Sequence, residues 1–259
     1  KTKVSQAFLK MYEILTILPI ISKNNKTFTS MSICEAPGQF ILAINQYLKT
    51  HTTNKEYKWQ ANSLNHNSPI VKKKFSHDVL SNTYGLIKKY PHNWLYGKNN
   101  TGDITSLENI KHIKTKMNPN VDLITSDCGI PIVNPTDFNY QEDLMVFINF
   151  CQILFILYCL PIGKSFIIKT FLPQTLQINI SLNNILYNSF DKLYFYKPVQ
   201  NNSSGEFYII GRGYKGISKQ LMDKLFKFHK KFDKNKNIID YDPLFLFQYS
   251  QAIEKLILN

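Results

Sequence analysis

The segment MSICEAPGQF, residues 31–40, decides the fold. A short β-favouring run, Met31 to Cys34, gives way to Glu35, Ala36, Pro37 and Gly38, and a helical apolar pattern continues from Gln39 to Leu48. A strand, a turn of small residues and a helix in that order make the first half of a βαβ unit. Such a turn lets the backbone approach a ligand while the next helix directs its first amides toward it. The G-x-G-x-x-G pattern is absent, which disfavours a nicotinamide or flavin enzyme. The plain alternative is an ordinary Pro-Gly turn into a helix.

Working outward, apolar spacing over residues 4–18 predicts a first helix that carries Lys10 and stops at Pro19, followed by a polar loop over 22–29. Residues 57–60 read as a second strand. Residues 63–102 resist parsing and mix Lys72, Lys73, Lys74, Lys88 and Lys89 with Tyr84, Tyr90, Trp94 and Tyr96. Beyond them, residues 106–115 read as a helix and 121–126 as a buried parallel strand. The apolar run 144–162 reads as a buried helix rather than a membrane span, because Asn149 and Gln152 interrupt it and Pro161 and Gly163 end it. The strand 165–170 follows, then the runs 193–196 and 207–211, which a short polar loop joins as an antiparallel hairpin. Helices are expected over 217–232 and after Pro243. The alternation predicts an α/β fold: a doubly wound, mostly parallel, Rossmann-like sheet with an antiparallel strand near the C-terminal side and extra helices. One domain over 1–259 is expected, with the first helix in 1–20 and a C-terminal helical extension over 215–259.

A formal charge of +13 favours a polyanionic partner, nucleic acid first, against the plainer reading of a lysine-rich coding bias. Cys34, Cys128, Cys151 and Cys159 form no C-x-x-C pair, so neither a zinc site nor a disulfide framework is suggested and a reducing compartment fits. The six histidines lack metal-ligand spacing, and no metal is expected. The first residue is Lys1, which implies a trimmed start, and no secretory signal pattern is visible.

Five segments stand in order: SQAFLKMYEI (5–14), CEAPGQF (34–40), DLITSDCG (122–129), FIIKTF (166–171) and GEFYIIGRG (205–213). Asp127 falls at a strand's carboxyl edge, where open α/β sheets bind ligands. Lys169 ends an apolar strand, where a buried ammonium needs an acid nearby. Taken singly, each reads better as a strand-end charge reaching water. Together, Lys10, Asp127, Lys169 and Glu206 resemble the Lys-Asp-Lys-Glu tetrad of the FtsJ-like RNA ribose 2'-O-methyltransferase family, over most of the chain.

That resemblance implies S-adenosylmethionine as cofactor, with Glu35, Ala36, Pro37, Gly38, Gln39 and Phe40 around its methionine part. Ser63, Leu64, Asp103, Ile104 and Asp127 would complete the pocket, with Asp103 recognising the adenine amine, although Asp103 also suits the cap region of the helix after it. In this scheme Lys169 accepts or steers the proton of a ribose hydroxyl. Asp127 and Glu206 hold the lysines, and Lys10 stabilises the developing oxyanion. Lys197, Ser203, Arg212 and Tyr214 would face RNA. The EAPG and TGDI (101–104) forms look like cap-directed enzymes of large cytoplasmic DNA viruses, which implies the first transcribed nucleotide of capped messenger RNA as target, ribosomal RNA being the other candidate. A capping-complex subunit in the host cytoplasm or virion is the corresponding setting, and no membrane partner is expected. A methyltransferase fold kept as an inactive RNA-binding scaffold is the alternative. Ser32, Cys34 and Gln39 depart from the family pattern in its favour, and the four tetrad positions count against it.

Overall fold

A computed structural model describes residues 4–22, 26–53, 56–74, 82–130, 141–172, 174, 176–201 and 204–235. It divides into two compact units, Lys1–Asp127 with Pro198–Asn202, and Cys128–Lys197 with Ser203–Asn259.

The first unit opens with α1 (Gln6–Ile17), whose N-cap Ser5 accepts the Phe8 N–H at 3.2 Å. Leu18 is extended, as the residue before a proline must be, and the helix ends there. Met11, Ile14 and Leu15 form its buried stripe together with Lys10. α1 packs on α2 (Gln39–His51), where the Tyr12 and Tyr47 rings meet edge to face at 6.2 Å and the Ser5 hydroxyl donates to Gln39 Oε1.

Strands β1 (Thr27–Ile33), β2 (Glu56–Ala61) and β3 (Leu123–Ser126) are all parallel, in the order β2-β1-β3. β1 begins earlier than the sequence suggested, inside the expected polar loop. Thr27, Phe28 and Thr29 pair with Glu56, Tyr57 and Lys58, so strand pairing overrides their local preference. The segment that resisted parsing holds the short helices α3 (Pro69–Lys74) and α4 (Leu86–Lys89) and a 3-10 turn at Pro91–Asn93. Within that segment Trp94 forms an isolated parallel bridge with Ala61. α5 (Leu107–Lys116) starts at Ser106, whose hydroxyl accepts the Asn109 N–H.

In the second unit, α6 (Gln141–Cys159) precedes β4 (Ser165–Phe171), α7 (Gln177–Ser189), β5 (Phe190–Tyr196), β6 (Glu206–Tyr214) and α8 (Lys219–Asn235). The strand order is β4-β6-β5, and β6 is antiparallel to both neighbours, as expected of a strand that follows a short hairpin. The chain thus has the mixed α/β architecture that its alternation of elements implied, with parallel pairing in one unit and an antiparallel strand toward the C-terminal side. α7 was not anticipated: its asparagines mask the helical pattern, yet Asn179, Asn183 and Asn184 are buried. No helix among the described residues is long and apolar enough to cross a membrane. α8 turns Leu225, Phe228 and Phe232 inward, with Phe228 5.2 Å from the Phe150 ring of α6, and leaves Lys219, Lys224, Lys227, Lys230 and Lys231 exposed. The helix expected after Pro243 lies outside the described residues.

Candidate active site

In the first unit, three loops at the carboxyl ends of β1 and β2 and ahead of α5 are tied to one another. Cys34 takes a left-handed conformation, φ +55°, and Gly38 another at +112°, the second placing it as the N-cap of α2. Glu35 turns inward and is only 2% exposed. Its Oε1 accepts the N–H groups of Phe40 at 2.8 Å and Ile41 at 3.1 Å. The first amides of α2 are therefore taken by Glu35, which corrects the idea that they are all free to face a ligand. Burial holds this carboxyl well above the usual carboxylate range; the Ile41 N–H opposes the shift, the charge of Asp127 adds to it, and the Phe40 N–H opposes it again.

The Glu35 N–H donates to the Asn62 carbonyl at 3.0 Å and the Ala36 N–H to the Ser63 hydroxyl at 2.7 Å, so the turn after β1 hangs on the loop after β2. That loop is pinned in turn. The Asn62 amide donates to the carbonyls of Leu95 and Gly102, and the Asn65 N–H donates to the Thr101 carbonyl. Asp103 sits in the third loop with Oδ1 accepting the Thr105 N–H at 2.9 Å and hydroxyl at 2.6 Å, while Oδ2 faces Lys74 at 3.6 Å. The helix cap itself is Ser106, so Asp103 shapes the turn before it.

Glu35, Ala36, Pro37, Gly38, Gln39, Ser63 and Asp103 are thus brought into one linked set. Phe40 and Ile104 are core side chains, and Leu64 is half-buried. Two polar atoms of the turn, Glu35 Oε2 and Gln39 Nε2, are buried with no hydrogen-bond partner. Orphaned groups of this kind are rare and costly, and they fit a site built to receive a polar ligand. Ser32, at a position singled out as a departure, is fully buried and accepts the Thr125 hydroxyl at 2.8 Å, a link between β1 and β3. Cys151 and Cys159 are free and buried.

Lys10 lies in α1 and is 8% exposed; Asp127 follows β3, its N–H donating to the Ile33 carbonyl at 3.2 Å. In the second unit, register places Lys169 of β4 directly opposite Tyr208 of β6, and Phe171 opposite Glu206. Directly opposed residues share a sheet face, so Lys169, Tyr208 and Glu206 lie together, and the Tyr208 hydroxyl donates to Glu206 Oε1 at 3.1 Å. Sequence reasoning missed Tyr208. The spacing Glu206-x-Tyr208 on an alternating strand was the available signal. The Lys169 Nζ stands 3.4 Å from the place a Cβ would occupy on Gly129.

Among the residues expected to face RNA, Lys197 is exposed and donates to the Ser204 carbonyl at 2.8 Å, and Arg212 is half-buried opposite Lys192. Tyr214 is a core residue: its hydroxyl donates to the Leu157 carbonyl at 2.6 Å, and burial, helped by Cys159, pushes its phenol up to about 12. Ser203 lies outside the described residues.

The sequence profile of the FtsJ-like methyltransferases matches residues 3–214. The chain belongs to the FtsJ-like methyltransferase family. It is 42% identical over 227 residues to the uncharacterized protein L511 of Acanthamoeba polyphaga mimivirus, covering 86% of this chain and 28% of that protein. It is 32% identical over 223 residues to the cap-specific mRNA (nucleoside-2'-O-)-methyltransferase 2 of Mus musculus, covering 82% of this chain and 28% of the mouse protein. The chain thus spans under a third of the length of these two relatives. In fold it resembles a putative class I S-adenosylmethionine-dependent methyltransferase from Listeria monocytogenes, with a TM-score of 0.50 at 10% identity, over 83% of this chain and 62% of that one. Membership of an FtsJ-like family implies S-adenosylmethionine as cofactor, and the linked loops of the first unit, with their two orphaned polar atoms, fit a group of that polarity.

Proposed function

We propose that this chain is the catalytic domain of an S-adenosylmethionine-dependent RNA ribose 2'-O-methyltransferase acting on a cap-proximal nucleotide of messenger RNA. The observation that carries the proposal is the shared face of Lys169, Tyr208 and Glu206, with the lysine ammonium beside Gly129. For two of the residues named from the family pattern, Lys169 and Glu206, sheet register supports this reading. The mouse relative's cap-specific name favours messenger RNA over ribosomal RNA as substrate.

Glu35, Ala36, Pro37, Gly38, Gln39, Ser63, Leu64, Asp103 and Ile104 would hold the cofactor, which supplies an electrophilic methyl group. Lys169 would take or steer the proton of the 2'-hydroxyl as that oxygen forms its new bond. Lys10 would stabilise negative charge on the oxygen, and Asp127 and Glu206 would hold the two lysines. Much of the rate would come from fixing the hydroxyl in line with the methyl group. Lys197 and Arg212 would contact phosphates, with net charge +13 drawing in the RNA. A host cytoplasm or virion as the setting fits the mimivirus relative, and a capping-complex role rests on the cap-specific name of the mouse relative.

The test is methyl transfer from labelled cofactor to short capped RNA, with nuclease mapping of the methylated sugar. Transfer to a cap-proximal ribose that is lost in Lys169→Ala, with cofactor binding kept, is the expected result. Unchanged turnover in that variant removes Lys169 from the mechanism. RNA binding without transfer under any condition leaves the scaffold reading in its place.

A further inference from the structure

The apolar helix α6 carries two polar side chains that the proposed chemistry does not use. Asn149 and Gln152 are one turn apart, both are buried, and both face the end of β4. The Asn149 amide donates to the Thr170 hydroxyl at 2.8 Å, and the Gln152 amide donates to Asn149 Oδ1 at 2.6 Å and to the Lys169 carbonyl at 3.1 Å. Just past the strand, the buried Gln174 amide donates to the Thr170 hydroxyl at 3.1 Å and the Phe171 carbonyl at 2.7 Å. Asn183 of α7 closes the chain by donating to Gln174 Oε1 at 3.4 Å.

Successive side chains on a strand point to opposite faces. Thr170 therefore points into this network, and Lys169 points to the other face, toward Tyr208 and Glu206. Gln152 grips the main chain of Lys169 itself. An all-apolar helix would pack on this strand equally well, so packing alone does not explain five buried polar groups converging on one strand end.

We propose that Asn149, Gln152, Thr170 and Gln174 are positioning residues, which fix the end of β4 from behind and so set where the Lys169 ammonium stands. The proposal rests on the methyltransferase reading for its consequence in catalysis and on hydrogen-bond geometry for the positioning itself. Fixing a reacting group from its supporting shell matters because a displacement of about 1 Å can cost on the order of 100-fold in rate.

The test compares Gln152→Met and Thr170→Val, which keep shape and remove the polar links, with Thr170→Ser, which restores the hydroxyl. All are assayed well below their melting temperatures. The expected result is kcat lowered by about 10- to 100-fold in the first two, with KM for RNA and cofactor affinity nearly unchanged, a displaced pH-rate profile, and recovery in Thr170→Ser. A second readout needs no activity. With lysines carrying isotope-labelled N-methyl groups, the Lys169 signal, assigned by its loss in Lys169→Arg, shifts or broadens in Gln152→Met and Thr170→Val and returns in Thr170→Ser. Variants that melt earlier yet keep the native kcat and Lys169 signal overturn the proposal and leave the network a purely structural one. If the native chain shows no transfer at all, the methyltransferase reading fails, and the Lys169 signal alone decides the positioning claim.

Discussion

A Cβ on Gly102 would collide with the carbonyl oxygen of Ser63, and Gly102 holds a φ of +72°. The loop after β2 and the loop before α5 touch there through their main chains, in a conformation that side chains rarely adopt. Gly102→Ala should therefore cost about 2 kcal/mol or more, since strain and a backbone clash act together. Urea denaturation measures it, and a midpoint equal to that of the native chain would contradict the close approach.

Glu35 gives a pH dependence with a definite sign. Burial raises its folded value above the unfolded one, the Ile41 N–H works against that, and Asp127 adds to it. Between the two values the folded chain holds a proton that the unfolded chain has released. The associated stability is complete below the ordinary carboxylate range and is lost as pH rises through the raised value. Glu35→Gln cannot ionise and still offers an oxygen to the Phe40 and Ile41 amides. Its stability relative to the native chain should climb as pH increases across that window. Parallel stability curves for the two proteins would show that Glu35 is not the titrating group.

Ser63 supplies the hydroxyl that receives the Ala36 N–H. Ser63→Ala should lower stability by about 1 kcal/mol, the usual net worth of one such hydrogen bond, and loosen the turn after β1. Calorimetric titration with S-adenosylmethionine should then give weaker binding than for the native chain. Native affinity would remove Ser63 from the cofactor site.

The ion pair between Lys74 and Asp103 spans 3.6 Å with the lysine exposed. Lys74→Met should change stability by less than about 1 kcal/mol, because exposed pairs are screened by water and salt. Asp103→Ala removes the two bonds to Thr105 as well and should destabilise more. A thermal melt in which Lys74→Met proves the more damaging substitution would reverse this assignment.

Tyr208→Phe removes the hydroxyl that Glu206 accepts and leaves the ring packed in the sheet. Turnover should drop, by less than in Lys169→Ala, while the fold persists. Identical turnover would mean that the Glu206 carboxylate is held by other contacts.

Much of the fold was legible in the residues because its signals are local. Pro19 ends α1, the Glu35 to Gly38 turn separates β1 from α2, and the short polar loop ending at Gly205 makes the β5–β6 pairing antiparallel. The misses share a cause. Thr27 to Thr29 read as loop until β2 supplied their partners, and Asn179, Asn183 and Asn184 hid α7 because a helical asparagine is an unfavourable local choice that burial and hydrogen bonding offset.

The sequence by itself determined the family, the order of elements, the positive charge and the identity of Lys10, Asp127, Lys169 and Glu206 as the groups worth watching. These follow from periodicity and turn chemistry, which act within a few residues, and from motif order along the chain. Only the tertiary structure decided that Glu35 faces inward to hold the start of α2, that Tyr214 is core, that Tyr208 stands beside Lys169, and that Asn149 and Gln152 secure the strand from behind. Each of those depends on which distant segment lies alongside, and the free energy of a buried polar group is set by that neighbour rather than by the residue's place in the chain.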